Sequence, residues 1–271
     1  MLKDITIGQY FPGHSVIHRM DPRMKILLSI AYIVMLFVAK GFSGIAVGVV
    51  FLALSYAISR IPLSLIGKSL RPVIPILIFT AVLNMFFVEG DPLFKWHFIT
   101  ITRQGLFTAG LMAVRIICLI AGTSLLTYTT SPIVLTDGIE RLLSPLKRLG
   151  LPVHELAMMM TIALRFIPTL IEETDKIMSA QKARGADLES GGLTQRAKAL
   201  VPILIPLFIS AFRRADELAL AMECRCYHGG EGRTRMKQLK LCPRDFVAAA
   251  VTLLCIAAVV AVNAVCPLAV K

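Results

Sequence analysis

The sequence is poor in what soluble catalysts and secreted scaffolds are built from. Across 271 residues there are one tryptophan, five tyrosines and six cysteines, and only 17% of the chain is charged. The cysteines form no closely spaced even set, which excludes a small disulfide-built domain. Cys118 and Cys255 fall inside apolar runs, where a thiol behaves as a small hydrophobe. Acidic residues are scarce, 17 against 29 basic ones, for a net charge of +12. The basic residues are not interleaved with aromatics, so no nucleic-acid partner is expected. No nucleophile elbow, paired-acid site or metalloprotease helix motif is present, so no catalytic residue and no cofactor is expected. Gly67-Lys68-Ser69 ends like a phosphate-binding loop, but the first glycine of that motif would fall at Pro62, and no strand precedes it. ATP binding by this chain is therefore excluded. A cleavable signal peptide is not expected either: the first 25 residues are polar and broken by Pro12, Gly13 and Pro22.

What the chain does have is apolar length. Hydrophobic residues make up 56% of it, more than a soluble domain carries. Asp21-Pro22-Arg23 reads as a helix start, with aspartate as cap and proline at the first helical position. Ile26–Ala39 and Ile45–Ile58 are apolar, separated by Lys40–Gly44. One helix over both would be roughly 50 Å long, too long for a bilayer, so two spans with a tight turn are expected. Val73–Val88 is a third span, Gly105–Tyr128 a fourth and Phe246–Val265 a fifth. Glu89-Gly90-Asp91-Pro92 reads as a turn, and Leu93–Gln104 as a mixed polar loop. Lys3, Arg19, Arg23 and Lys25 precede the first span, and Arg60, Lys68 and Arg71 follow the second. Positive loops stay inside. The N-terminus and residues 129–245 are therefore expected in the cytoplasm and Lys271 outside, in a multi-pass protein of the cell membrane with lipid as its surroundings.

More than half of the 29 Lys and Arg residues lie between Arg141 and Arg244, and most of the 17 acids between Asp137 and Glu231. The periodicity predicts three partly amphipathic helices in this charged segment. The first runs from Ser131-Pro132 to about Arg148 and the second from about Val153 to Arg184. The third runs from about Thr194 to Tyr227. On the second, Leu156, Met160, Ala163, Ile167, Leu170, Thr174 and Ile177 form one packing stripe. Pro168, Pro202 and Pro206 are expected to bend these helices. Glu189–Gly192 reads as a flexible loop. The helices are expected to lie against the inner membrane face; a rival reading makes parts of them further spans.

The ends of the second and third helices repeat. With an offset of 41 residues, Asp175, Ile177, Ala180 and Arg184 fall on Asp216, Leu218, Ala221 and Arg225. Each helix is expected to end just past its arginine, stopped by Gly185 in one case and by Gly229-Gly230 in the other. The plain reading is two arginines stabilising helix dipoles. A shared register on two helices points instead to two docking points, since a guanidinium is a planar fork suited to partner carboxylates and carbonyls. Cys224, Cys226, His228 and Cys242 offer zinc-type ligands. The Cys-x-Cys spacing is tighter than structural zinc uses, and small residues beside a docking arginine account for the thiols more simply. His14, His18, His97 and His154 are scattered, so surface or core roles are expected. Met158-Met159-Met160 reads as adaptable packing, and Arg115, inside the fourth span, as functional or snorkelling to an interface.

Ala-Leu-Arg-Phe-Ile-Pro at 163–168, Gln-Lys-Ala-Arg-Gly-Ala at 181–186, Arg-Arg-Ala-Asp-Glu-Leu at 213–218 and Ala-Met-Glu-Cys-Arg-Cys-Tyr at 221–227 carry a resemblance. So does the start Asp21–Lys25. Over essentially its whole length the chain resembles the transmembrane (T) components of energy-coupling factor (ECF) transporters. The resemblance implies an all-α membrane protein of about five transmembrane helices plus a cytoplasmic coupling domain of three long helices. The domains would be 1–128 with four spans, 129–244 with the two X-Arg-X motifs, and 245–271 with the last span. It implies a non-catalytic subunit of an ABC-type transporter, with two ATPase subunits docked on Ala183-Arg184-Gly185 and Cys224-Arg225-Cys226. It also implies interchangeable S components that bind the vitamin. The run Tyr227–Arg235 resembles T components shared among several S components. The alternatives are a stand-alone secondary transporter, which would show paired halves with broken helices, and an integral membrane enzyme, which would need a polar catalytic cluster.

Overall fold

The structure is a computed structural model and describes residues 10–87, 92–96, 99–186, 192–230 and 238–265. Its helices are α1 (Pro22–Val38), α2 (Phe42–Ser59), α3 (Leu63–Leu70), α4 (Ile74–Phe87), α5 (Arg103–Thr129), α6 (Pro132–Leu143), α7 (Val153–Ala183), α8 (Leu193–Glu223) and α9 (Pro243–Val265). A single 3-10 turn, Arg71–Val73, joins α3 to α4, and another, Ser144–Leu149, follows α6. The protein is an all-α membrane protein. The segment expected as a polar loop carries one small feature besides helix. Strands β1 (Pro92–Trp96) and β2 (Ile99–Thr102) pair antiparallel, with Lys95 opposite Thr100. β-Branched Ile99, Thr100, Ile101 and Thr102 suit an extended backbone, and Thr102 then caps α5 by accepting from the Gly105 N–H at 3.1 Å. The turn Glu89–Asp91, Lys3, the loop Glu189–Gly191, Glu231–Arg235 of the Tyr227–Arg235 run, and Lys271 lie outside the described residues.

The chain divides into two compact units, one of Gly8–Gly138 with Leu239–Lys271 and one centred on Ile139–Gln238. In the first, α1 packs on α2, α5 and α9. Its core is Tyr32, Met35, Leu36, Ile45, Tyr56, Leu111, Cys118, Tyr128 and Val259. Close approach needs glycine here: a Cβ at Gly122 would collide with the Tyr32 ring, and one at Gly48 would sit 2.7 Å from Leu36 Cδ2. With no water in a hydrocarbon core, buried polar groups must be paired internally. The tyrosines comply: Tyr56 donates to Ala121 O at 2.8 Å, and Tyr128 donates to Leu65 O at 3.0 Å and bonds Ser69.

Helix ends in this unit are closed by charges. Asp21 caps α1 as expected, accepting from the Arg23 N–H at 2.9 Å and from its guanidinium at 2.8 Å. Asp245, fully buried, reaches back to the Cys242 N–H at 2.8 Å, the reciprocal half of a capping box at the start of α9. Its other oxygen accepts the Asp21 N–H at 3.1 Å, which ties the two helix starts together. Buried Lys25 gives its three protons to His18 O (3.1 Å), Thr129 O (2.9 Å) and Thr130 Oγ1 (3.1 Å). It closes the C-terminus of α5, the end where a cation is favourable. The C-terminus of α1 is closed by Asn263, to which the sequence assigns no role, and by Arg115, the residue expected to be functional or snorkelling to an interface. Asn263 donates to Val38 O at 2.8 Å and accepts the Lys40 N–H, and Arg115 donates to Ala39 O. Arg115 is thus a cap for orphaned carbonyls of a neighbouring helix.

Among the described residues, five helical segments are long and apolar enough to cross a membrane: α2, the α3–α4 segment from Ser64 to Phe87, α5, α7 and α9. This set differs from the five expected spans. α1 has 17 residues, the lower limit for a span, while α7 has 31 and meets the requirement by length and composition.

Candidate functional site

The candidate site is built on α7 and α8 in the second unit. The two helices run antiparallel, and three contacts fix their register. A Cβ on Gly230 would lie 2.6 Å from His154 Cδ2, so the chain just past α8 passes against the start of α7. Midway, Glu173 accepts from Arg214 Nη2 at 2.6 Å and from the Ser210 hydroxyl. Near the far end, Gln181 Nε2 donates to Pro202 O at 3.2 Å. The last contact has a cause in the sequence. Pro206 has no N–H, so the carbonyl four residues back, that of Pro202, loses its helical partner, and Gln181 supplies one from α7.

The packing stripe on α7 is only half covered. Ile167, Leu170, Thr174 and Ile177 are half-buried, whereas Leu156, Met160 and Ala163 are exposed. The expected stripe therefore does not continue over the first three turns. α8 leaves Leu204, Ile205, Phe208 and Phe212 exposed as well. Among the described residues, these side chains are apolar surface without a protein neighbour to bury them.

Both arginines sit where the repeat places them. α7 ends with the Ala186 N–H bonded to Gln181 O at 3.0 Å and the Gly185 N–H to Lys182 O at 3.0 Å. α8 ends with the Tyr227 N–H bonded to Met222 O at 3.1 Å and the Cys226 N–H to Glu223 O at 2.8 Å. Each pair is a Schellman cap, and the partners match one for one at the 41-residue offset. Gly185 takes the left-handed residue at φ +84, and Cys226 takes the same place at φ +55. The expectation that Gly229-Gly230 stops the second helix is thus corrected. Cys226 ends it, and Gly230 is there because the His154 ring leaves no room for a side chain. Arg184 and Arg225 occupy the same position in the two caps. Both are exposed, as are Ala183, Gly185, Cys224 and Cys226 around them. Among the described residues neither guanidinium has a hydrogen bond or ion pair, so both forks are open to a partner. Because the helices are antiparallel, the two tips lie at opposite ends of the pair, roughly 35 Å apart at about 1.5 Å per residue.

The remaining candidates are scattered. No three His, Cys, Asp or Glu side chains converge on a metal position among the described residues. Cys242 precedes α9, and its thiol faces Lys240 O. His154 Nδ1 lies 3.1 Å from Glu140 Oε1, tying the start of α7 to α6. His18 bridges Ser15 Oγ (2.7 Å) and Phe11 O (3.1 Å). Burial lowers its pKa, with the nearby Lys25 charge adding to the effect, although the bond to Phe11 opposes it. Arg165 is exposed on the body of α7.

Comparison with known proteins adds a family. Residues 13–236 match the profile of the CbiQ family, described as cobalt transport protein. The chain is 62% identical over 260 residues to the energy-coupling factor transporter transmembrane protein EcfT of Clostridium kluyveri, covering 94% of this chain and 96% of that one. It is 58% identical over 247 residues to the protein of the same name from Thermosediminibacter oceani, covering 91% and 93%. The corresponding Bacillus subtilis protein is 48% identical over 246 residues, covering 90% and 93%.

Proposed function

This chain belongs to the CbiQ family, among the transmembrane T components of energy-coupling factor transporters, and from that membership we propose that it is the mechanical coupler of a vitamin importer. Two ABC ATPase subunits dock on the cytoplasmic side, one on Ala183-Arg184-Gly185 and one on Cys224-Arg225-Cys226. ATP binding closes the ATPases against each other. The tips of α7 and α8 are carried along, and the α7–α8 pair passes the movement to a separate, interchangeable S component that holds the vitamin. Hydrolysis takes place in the ATPases, and this chain contributes no catalytic group. Residues 1–128 and 245–271 form the membrane part in this reading, and 129–244 the cytoplasmic coupling domain.

The observation that carries the reading is the pair of matched caps. Two exposed, unengaged guanidinium groups in one backbone setting, at opposite ends of one helix pair, suit two copies or two homologues of a partner. A single dipole-stabilising arginine needs no such duplication. The register contacts support transmission as well. Glu173 with Arg214, and Gln181 with the Pro202 carbonyl, hold the two helices together, so a displacement at one tip is felt along both. The exposed apolar residues of α7 and α8 are the surface on which an S component would rest.

The test is pull-down of the ATPases together with vitamin uptake in vesicles. Arg184→Ala and Arg225→Ala are each expected to weaken docking by on the order of 2–5 kcal/mol, because a partner carboxylate or carbonyl is left unpaired. Lysine at either position is expected to restore part of it, since an ammonium is not a planar fork. Arg165→Ala controls for general loss of charge. A double alanine variant that retains both ATPases and transports normally would overturn the proposal.

A further inference from the structure

The first unit contains a cavity of about 270 Å³ between α1, α2, α5 and α9. Its floor is buried, at Tyr32 and Thr252, while Val16, Ile58 and Val247 on its lining are 50%, 51% and 63% exposed. The cavity therefore opens at one end of the unit. That end is where α1 and α9 start and where α2 and α5 finish. Its walls are overwhelmingly apolar. Two cations belong to the lining, Lys25 and Arg244. All three protons of Lys25 are committed to carbonyl and hydroxyl oxygens, so Lys25 contributes field but no free donor. Arg244 is exposed and, among the described residues, has no hydrogen bond or ion pair. Of the acids at this end, Asp21 and Asp245 are buried and consumed in caps, and Asp137, beside the Gly138 that packs on Pro22, is half-buried and already engaged. Arg19 and Arg60, both exposed, stand close in sequence to the lining residues Ile17 and Ile58.

An open slot with walls this apolar accepts an apolar guest. Here a basic mouth stands over a greasy slot in a helix bundle whose surroundings are lipid. The chemistry that fits is an amphiphile with an anionic head and a hydrocarbon tail. We propose that this cavity is a binding site for one anionic phospholipid, with an acyl chain between α1, α2, α5 and α9 and its phosphate on Arg244. A zwitterionic lipid fills the slot as well but gains less from the basic rim, because its own cation opposes the guanidinium. On the orientation proposed above, the mouth lies in the inner leaflet, where anionic headgroups are concentrated. The occupied slot would wedge α1 and α9 at the helix starts that Asp21 and Asp245 tie together.

The full chain is reconstituted in nanodiscs of phosphatidylcholine doped with phosphatidylglycerol carrying a diazirine on its acyl chain. Cross-linked peptides are mapped after illumination. Labels are expected on the cavity wall, at residues such as Leu125, Leu126 and Val251. An excess of unlabelled phosphatidylglycerol should suppress them more strongly than the same excess of phosphatidylcholine. Arg244→Gln is expected to reduce that preference about fivefold, the contribution of one basic residue at an anionic surface, while labelling of the wall persists. Ser29→Leu, which fills part of the slot, is expected to abolish wall labelling with either headgroup. Labels spread evenly over the outer faces of α4 and α5, or equal competition by the two lipids on the unmodified chain, would overturn the proposal. Neither outcome depends on the variants folding.

Discussion

Gly185 and Cys226, 41 residues apart, hold the same left-handed position in two Schellman caps with corresponding hydrogen bonds. One is the residue that this conformation favours. The other is a side chain that enters it at a cost of about 1–2 kcal/mol. The backbone of the second motif is therefore held to the shape of the first against local preference, and strain of that kind collects at functional positions.

Exchanging residues between the caps should show the asymmetry. Cys226→Gly is expected to stabilise the end of α8 by about 1 kcal/mol, seen as slower hydrogen exchange at the Tyr227 amide. Gly185→Val should destabilise the end of α7 by at least that much, with faster exchange at the Ala186 amide. ATPase docking should survive Cys226→Gly, because the arginine keeps its place. Unchanged exchange at both amides would mean that the left-handed residue does not limit these ends.

A second expectation concerns Gln181 and Pro206. If Gln181 serves the carbonyl that Pro206 orphans, the two residues are energetically coupled although they never touch. Gln181→Ala should cost about 0.5–1.5 kcal/mol in the native background. After Pro206→Ala, which returns a helical N–H to the Pro202 carbonyl, the same change should cost little. A double-mutant cycle on thermal unfolding in detergent measures the difference. Equal costs in both backgrounds would dissociate the side-chain bond from the proline.

The places where sequence reasoning succeeded are those where a local rule and the fold agree. Asp21-Pro22 starts α1 because a cap and a fixed φ act within three residues. The Arg184 and Arg225 caps show through as a repeat because the two helix ends share a sequence pattern and close in the same backbone turn. The corrections lie where a distant neighbour decides. Gly229-Gly230 looks like a helix stop, yet the stop is Cys226, and Gly230 answers to the ring of His154. Leu156, Met160 and Ala163 carry the period of a buried stripe, but the period reports only that a face is apolar. It does not say whether protein, lipid or a partner covers that face. Arg115 stood out in an apolar run, and Asn263 did not, because the purpose of both, two carbonyls at the end of α1, is on another helix.

Acid should loosen the segment before α1. His18 donates through Nε2 to Phe11 O at 3.1 Å, and its Nδ1 lies 2.7 Å from Ser15 Oγ. Its pKa is lowered by burial, so the folded segment binds protons less readily than the unfolded one. Stability contributed by the neutral ring is complete above the ordinary histidine pKa and is lost as pH falls through it and the lowered folded value. Protection factors over residues 10–20, with the intrinsic pH dependence of exchange divided out, should fall on acidification while those in α5 stay constant. In His18→Gln that loss of protection should disappear. Acid sensitivity that persists in His18→Gln would assign the effect to another group.

The antiparallel packing of α7 and α8 turns the orientation of the chain into a decisive measurement. α7 is long and apolar enough to cross a bilayer, and its first turns expose Leu156, Met159 and Met160. Were the pair to cross, its two ends, roughly 35 Å apart, would face opposite sides, and only one arginine could meet a cytoplasmic ATPase. Docking at both therefore requires the pair to lie on one side. In the proposed orientation, argued from loop charge, that side is the cytoplasm. Two probes report the two ends. Cys224 and Cys226, both exposed, mark the Arg225 end, and Ser179→Cys at an exposed position marks the Arg184 end. With a membrane-impermeant maleimide on intact cells lacking the ATPases, neither end should label. In inside-out vesicles both should. Peptide mapping separates these sites from the other cysteines, Cys118, Cys242, Cys255 and Cys266. Labelling of one end from each side would make α7 and α8 spans and reduce the docking sites to one. Labelling of both ends from outside would invert the chain.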